Sequence, residues 1–382
     1  PHKSMRNCII FCGGSGSNPA SFCPVNGCLF TLATGSVLLS LVAMLHGYLF
    51  CLPFSQFVYP LELDFNRLVL ELESTPTASN VSWAVPINNK KFPALHPNSN
   101  RCANFEVGEG SKYRLLMLIK SALPNFAFRQ ALRATWANEM NTATVQIGYA
   151  FVLGGTHNST AQAAVDREQI TYGDLIQQAF VDAYFNNTYK LMFAIDWAAA
   201  SCPGADFILF ADDDYYVSTY NLVNLLGQLQ ANGYTAESLL VTGHVFSSPV
   251  PKRNLFNKWY TSLAEYPYTF WPPYPTGGAF LVSNRLCKQL SLAQRYVRYL
   301  RFDDVFLGIV LWKLGVRPIH NEHFYLGEVP KPFSRSVYAS YTAVHLDKDL
   351  AALALIWRAM GFPVSLAPTV DEAGYESSAV AL

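Results

Sequence analysis

The chain has 382 residues, about two and a half times a ~150-residue domain, so it can bury a sizeable core and is no disulfide-stapled miniprotein. Only 14% of residues are charged, against an average of about 25%, and 51% are hydrophobic, which excludes a disordered chain and leaves a folded protein with some membrane-embedded length. Acidic and basic residues balance at 27 each, so no net field draws nucleic acid, and none is expected as a partner.

Lys3 and Arg6 are the last charges before Glu62, and Cys28 to Leu52 is almost wholly apolar. About 25 residues at ~1.5 Å each exceed the ~30 Å hydrocarbon core, so residues 28–52 are expected to form one transmembrane signal anchor. A cleaved signal peptide would have a shorter apolar region, ~7–15 residues, nearer the start. Basic residues before the segment and Glu62, Asp64 and Glu71 after it keep residues 1–27 cytosolic and place the rest in the lumen. The candidate glycosylation sites Asn80, Asn158 and Asn186 all fall on the lumenal side.

Cys102, Cys202 and Cys287 are the cysteines beyond the anchor. Three cannot all pair; Cys102 with Cys202 is the expected disulfide, leaving Cys287 as a buried thiol.

Residues 53–101 are rich in Pro, Asn and Ser and read as a stem. From 102 to about 365 the pattern becomes a catalytic-sized domain, with a flexible tail over 366–382. Short apolar runs at Leu115–Ile119, Val145–Leu153, Phe207–Ala211, Leu239–Gly243 and Ala279–Val282 read as buried strands. Helix-like spacing covers Phe128–Met140, Tyr172–Phe185, Tyr189–Ala200 and Leu222–Leu229, and a last helix is expected over Lys348–Met360 with Asp347 as its N-cap. Strands alternating with helices predict an α/β fold with a mostly parallel sheet covered on both faces.

The strand Phe207–Ala211 delivers Asp212-Asp213-Asp214 to its C-terminal end, where open α/β sheets bind ligands. Three adjacent carboxylates in a crevice repel one another and call for a cation or raised pKa values; in isolation the tripeptide reads equally as a solvated acidic turn. Extended geometry points Asp212 and Asp214 one way and Asp213 the other. An all-oxygen site suits Mn²⁺ or Mg²⁺, which bind one or two carboxylates and complete their shell with substrate phosphates.

A second acidic pair, Asp303-Asp304, opens a helix; it is either stabilised by the helix dipole or supplies a general base. Arg129 and Arg133 lie four apart on one helix face, ordinary if exposed but suited to phosphate if near a nucleotide. Trp259, Glu265, Trp271 and Tyr274 belong to a Pro- and Gly-interrupted aromatic stretch of the kind on which sugar rings stack. His345, between apolar neighbours, reads as a core histidine.

Arg129 to Trp136, Phe151-Val-Leu-Gly154, Glu168 with Tyr172-Gly-Asp174, Asp212-Asp-Asp214, Lys258-Trp-Tyr260, Glu265-Tyr-Pro267 and Asp304-Val-Phe306 stand in the order found in the Golgi β-1,3-glycosyltransferases. Over residues 102–350 the chain resembles that family. Ala211 to Ser218, Gly243-His-Val-Phe246, Trp271-Pro-Pro-Tyr274 and Arg301 to Val305 most resemble the Brainiac-type β-1,3-N-acetylglucosaminyltransferases of glycolipid synthesis.

The resemblance implies a GT-A nucleotide-sugar fold, a type II Golgi membrane enzyme, UDP-GlcNAc as donor, and an inverting mechanism on the 3-hydroxyl of a terminal hexose, β-mannose of a glycosphingolipid. It implies Mn²⁺ (or Mg²⁺) on Asp214, with Asp212 and His345. Asp212, Asp213, Arg129, Arg133, Asp174 and Lys190 would lie near the nucleotide, Asp304 would be the base, and Trp259, Glu265, Trp271 and Tyr274 would meet the acceptor. A β-1,3-galactosyltransferase on glycolipid or glycoprotein is the alternative within the family, and a non-catalytic Golgi chaperone or lectin of the same fold the alternative outside it. A phosphoesterase is disfavoured, because no second cluster of metal ligands is visible.

Overall fold

The computed structural model describes residues 42, 49–59, 63–74, 81–88, 91–103, 105, 113–142 and 144–362. The chain divides into two compact units, Pro1–Leu52 with Lys252–Pro267, and Pro53–Pro251 with Tyr268–Leu382. Among the described residues no helix is long and apolar enough to cross a membrane. The expected anchor lies outside the described residues save for residues 42 and 49–52, as do the 1–27 segment, Asn80 and the 366–382 tail.

In the larger unit the helices are α1 Phe65–Ser74, α2 Phe126–Arg133, α3 Ser159–Tyr172, α4 Asn187–Ser201, α5 Thr219–Ala231, α6 Asn284–Ala293, α7 Asp303–Lys313, α8 Arg335–Tyr338 and α9 Leu350–Ala359. The strands are β1 Ala94–His96, β2 Tyr113–Lys120, β3 Met140–Asn141, β4 Val145–Gly155, β5 Leu175–Val181, β6 Phe207–Asp212, β7 Tyr215–Val217, β8 Val241–Phe246, β9 Tyr274–Ser283, β10 Ile319–His320, β11 Phe324–Tyr325 and β12 Ala343–His345. The large sheet runs β1-β5-β4-β2-β6-β9-β8-β10, with β3 on β4, and a small one runs β11-β12-β7. The apolar run of β2, covered on both faces, buries Leu115 through Ile119 completely, which is why it occupies the middle of the sheet.

The sheet is mixed. β2, β4, β5 and β6 pair in parallel, but β9 runs antiparallel to both β6 and β8. Pro275, a residue that argues against an interior strand, is accommodated because β6 pairs with β9 only as far as Ala279, and β9 carries extra residues where its register with β8 shifts, from Gly243 opposite Phe280 to Val245 opposite Pro275.

Three sequence expectations are corrected. The stretch Tyr172–Phe185 is not helical: it is the end of α3, a Gly173 cap with φ 64°, and then β5. The last helix begins at Leu350, capped by Asp349, whose side chain accepts from Ala352 N at 2.9 Å; Asp347 and Lys348 have φ of 52° and 66° and cannot start it.

The supposed stem is partly folded onto the domain. Phe65, Leu68, Val69 and Leu72 recur at helical spacing and are buried as α1 meets α6, worth roughly 1.5–3 kcal/mol per side chain as an upper bound. Arg285 on α6 adds an ion pair to Glu73 at 2.9 Å, and β1 extends the sheet at β5.

Cys102 and Cys202 are joined in a disulfide with Cα atoms 5.2 Å apart, tying the turn before β2 to the end of α4, while Cys287 is a buried free thiol.

Candidate active site

Parallel pairing sets β2 and β6 side by side with Lys120 opposite Asp212, so an ammonium and a carboxylate emerge together at the C-terminal edge of the sheet. Lys120 Nζ lies 3.0 Å from Asp212 Oδ1 and 2.6 Å from Asp303 Oδ2, the first residue of α7. One buried cation thus joins the two acidic motifs. Burial opposes its charge, but the two carboxylates outweigh that and hold its pKa above the ordinary lysine value. Burial pushes the Asp212 carboxyl up to about 7; Lys120 pulls against this, while the charges of Asp214 and Asp303 add to it. The sequence reading missed Lys120, although a lysine ending an otherwise apolar central strand was the available signal.

Asp213 points the other way, into the protein. Its Oδ2 accepts from Ser121 Oγ at 2.6 Å and Asn125 Nδ2 at 2.9 Å, so its carboxylate fastens the β2–α2 loop instead of facing a nucleotide. Beneath it Arg129, 1% exposed, donates to Ser121 Oγ at 2.9 Å, to Ala122 O at 2.7 Å and to both oxygens of Glu168 at 2.8 and 2.6 Å.

Arg133 donates to both oxygens of Asp174 at 2.7 and 2.8 Å and to Glu168 Oε1 at 2.7 Å, and lies 3.9 Å from the Tyr172 ring centroid. Lys190 donates to Ser121 O and to Asp182 Oδ1, the latter at 2.9 Å. The structure therefore gives Arg129, Arg133, Asp174 and Lys190 a different occupation from the nucleotide contacts expected of them. They are buried and paired with opposite charges, and Arg129 and Lys190 also brace the loop that carries Ser121.

Asp214 takes its place from the small sheet. β7 pairs antiparallel with β12, setting His345 opposite Tyr215, and Leu346 N donates to Asp214 O at 2.8 Å. His345 Nε2 is 3.5 Å from Asp214 Oδ2, and that carboxylate raises the imidazole pKa despite burial. Asp214 Oδ1 is buried with no hydrogen-bond partner. Gly277 and Gly278 of β9 make room here, since a Cβ on the first would stand 3.0 Å from Asp303 Oδ2 and one on the second would overlap the Tyr215 ring.

Among the described residues no three His, Cys, Asp or Glu side chains form a ready metal cluster. A hard divalent ion nonetheless fits: Asp214 offers an orphaned carboxylate oxygen, His345 a nearby imidazole, and Asp212 a carboxylate held by Lys120, with substrate oxygens left to complete the shell.

Asp304 stands in the first turn of α7, where its Oδ1 accepts from Val305 N at 2.8 Å. Burial foremost, and then the charge of Asp303, push its carboxyl up to about 7. α7 comes close to the start of β9 because Gly308 has no side chain; a Cβ there would meet Pro273 O at 3.0 Å. Tyr274 is half-buried, and its hydroxyl is held protonated by burial and by the Asp304 charge. Its ring lies 5.6 Å from that of Phe246.

Trp271 is 5% exposed, a wall and not an open stacking platform. Trp259 and Glu265 belong to the other unit, where Trp259 is exposed beside Lys258 and Glu265 N bonds to Ser262 Oγ at 3.1 Å. Asn158 is exposed as the N-cap of α3; Asn186 is half-buried and its Nδ2 donates to Val181 O at 2.8 Å.

Residues 127–322 match the galactosyltransferase family. The chain is 40% identical over 252 residues to the β-1,3-galactosyltransferase brn of Drosophila melanogaster, covering 66% of this chain and 76% of that protein. To β-1,3-galactosyltransferase 5 of Homo sapiens it is 32% identical over 249 residues, 64% and 78% of the two chains. To the lactosylceramide 1,3-N-acetyl-β-D-glucosaminyltransferase A of Danio rerio it is 31% identical over 263 residues, 66% of each. Among solved structures, the galactosyltransferase LgtC covers 66% of this chain and 98% of its own at 12% identity and a TM-score of 0.34, a likeness on which nothing rests. The chain belongs to the galactosyltransferase family and is a β-1,3-glycosyltransferase.

Proposed function

We propose that the chain is an inverting, divalent-metal-dependent β-1,3-N-acetylglucosaminyltransferase of GT-A type, anchored in the Golgi membrane. It would move GlcNAc from UDP-GlcNAc to the 3-hydroxyl of a terminal β-mannose on a glycosphingolipid. The observation that carries this reading is Lys120, which holds Asp212 and Asp303 at 3.0 and 2.6 Å and so draws the donor-facing acids and the Asp304 turn to one end of the sheet.

In this mechanism Asp304 accepts the proton of the acceptor 3-hydroxyl. A carboxyl pKa near 7 matches it to that task at lumenal pH. The oxygen attacks the anomeric carbon from the face opposite UDP; the new C–O bond forms as the bond to the diphosphate breaks, and UDP leaves with both electrons of that bond. Asp214 and His345, with Asp212, would hold a divalent ion, which when bound neutralises charge on the diphosphate. Lys120 holds Asp212 and Asp303 in place through its two ion pairs, and Tyr274 borders the base on the acceptor side.

A second reading has its own support: two of the similar proteins are named β-1,3-galactosyltransferases, which favours UDP-Gal as donor. Full-length enzyme assayed with UDP-GlcNAc and UDP-Gal on β-mannosyl and β-galactosyl glycolipids, with the product linkage read by NMR, separates the two. GlcNAc transfer in β-1,3 linkage is the expected result. Galactose transfer alone would overturn the donor assignment, and transfer of neither sugar the enzymatic reading.

A further inference from the structure

In the smaller unit, the segment Lys252–Pro267 is joined to the residues that end the long apolar stretch of the sequence. Leu52 N donates to Pro267 O at 2.7 Å, and Arg253 Nη2 lies 3.7 Å from Cys51 Sγ. Arg253, 4% exposed, also braces the segment from within, donating to Thr261 O at 2.8 Å, Ser262 O at 3.0 Å and Tyr266 O at 2.7 Å. Two asparagine turns stiffen its tip: Asn254 Oδ1 accepts from Phe256 N at 3.0 Å, and Asn257 Oδ1 from Trp259 N at 2.9 Å.

What this braced tip presents is apolar. Phe256 is 83% exposed, Leu255 60% and Trp259 50%, flanked by the exposed cations Lys252 and Lys258. Stiffening a loop in order to hold a phenylalanine in water has no benefit to the fold, and such a patch marks a contact surface. Aromatic and aliphatic side chains edged by lysines, on a segment tied to the end of a 25-residue apolar stretch, match the chemistry of a bilayer interface.

We propose that Leu255, Phe256 and Trp259 enter the lumenal leaflet of the membrane that holds residues 28–52, with Lys252 and Lys258 at the lipid phosphates. The proposal rests on the anchor reading of 28–52 and on the glycolipid acceptor proposed above. It adds a second point of attachment beside the anchor, at the membrane surface where a lipid-borne sugar lies.

The test uses the full chain reconstituted in phosphatidylcholine vesicles. In Phe256→Trp the added tryptophan, taken as the difference from wild type, is quenched by lipids brominated on the upper acyl chain. Equal emission in brominated and unbrominated vesicles overturns the proposal, whether the tip faces water or another protein. This readout needs neither donor nor acceptor, so its failure leaves the transfer reaction untouched. The double variant Leu255→Ser, Phe256→Ser lowers kcat/KM about tenfold on a vesicle-embedded glycolipid, as two apolar side chains leave the interface. It leaves kcat/KM unchanged on the free acceptor oligosaccharide; equal loss on both acceptors also overturns the proposal, because the loop would then act on the reaction itself.

Discussion

Two clusters of charge lie one above the other at the edge of the sheet and are put to opposite uses. In the lower one Arg129, Arg133, Glu168 and Asp174 pair through multiple bonds of 2.6–2.8 Å, with guanidinium and carboxylate charges equal in number. In the upper one Lys120 pairs with Asp212 and Asp303, His345 stands beside Asp214, Asp304 has no cation paired to it among the described residues, and Asp214 Oδ1 has no partner. A set whose charges are balanced gives rigidity, even though Arg133 Nη1 is buried there without a hydrogen-bond partner. An open set gives a place for substrate to complete, at the expense of carboxylates whose pKa values are displaced upward.

The comparison is broken most directly at Asp304. Asp304→Asn removes the proton acceptor and lowers kcat by about 10²–10⁴-fold while UDP binding, measured by calorimetry, is retained. Turnover within tenfold of wild type would remove Asp304 from the role of base. The same variant sharpens the energetic side. A carboxyl whose folded pKa is raised from 3.8 to about 7 binds its proton more tightly in the folded state, so it withdraws stability as pH rises through that window. Asp304→Asn is therefore expected to have a higher Tm than wild type at pH 8 and the same Tm at pH 4; a lower Tm at pH 8 would contradict this.

In the lower cluster the effect moves from rate to stability. Glu168→Ala leaves two buried guanidinium groups without their shared carboxylate, and breaking a buried pair of this kind costs about 3–5 kcal/mol in chemical denaturation. Fold loss with normal kcat in the surviving folded fraction is the expected pattern; a stable enzyme with a raised KM for UDP-sugar would show instead that the arginines meet the nucleotide.

How much of this could be read from the chain follows from the same physics. β2, β6 and the acidic tip were legible because a strand covered on both faces is a continuous apolar run, and its end is where polarity returns. β5 was not: Gln177 is fully buried there, bonded to Gly154 O at 2.8 Å and to Gln162, and its polarity broke the run into a pattern that mimics a helix. Lys120 looked like the solvated end of β2, and only the arrival of α7 from far along the chain makes it central. The arginine pair was placed on the right helix, but its partners on α3 and before β5 decide whether it meets a phosphate or a carboxylate, and local spacing carries no information on that.

Lysine 120 links the open cluster together, and its removal tests whether that linkage matters. Lys120→Met removes the buried cation whose charge pulls the Asp212 and Asp304 carboxyls down, so both titrate at higher pH and the acid limb of the rate profile moves up. In wild type, kcat/KM rises with pH through about 7 as Asp304 ionises. An unshifted acid limb in Lys120→Met, in an enzyme that still folds, would confine the lysine to packing.

The smallest effect separates structural from chemical use within one side chain. Asn158 caps α3 through Oδ1, which accepts from Ala161 N at 3.1 Å, whereas a glycan would attach through Nδ2. Both Asn158→Ala and Thr160→Ala abolish the sequon, so each is expected to lose one glycan as a mobility shift on expression in a secretory host. Only the first also loses the cap. Thr160 is exposed and its replacement should stay within about 0.5 kcal/mol of wild type, whereas Asn158→Ala should lose about 1 kcal/mol more. Equal destabilisation of the two variants would assign the loss to the glycan, and an unchanged mobility in both would show that the asparagine serves the helix alone.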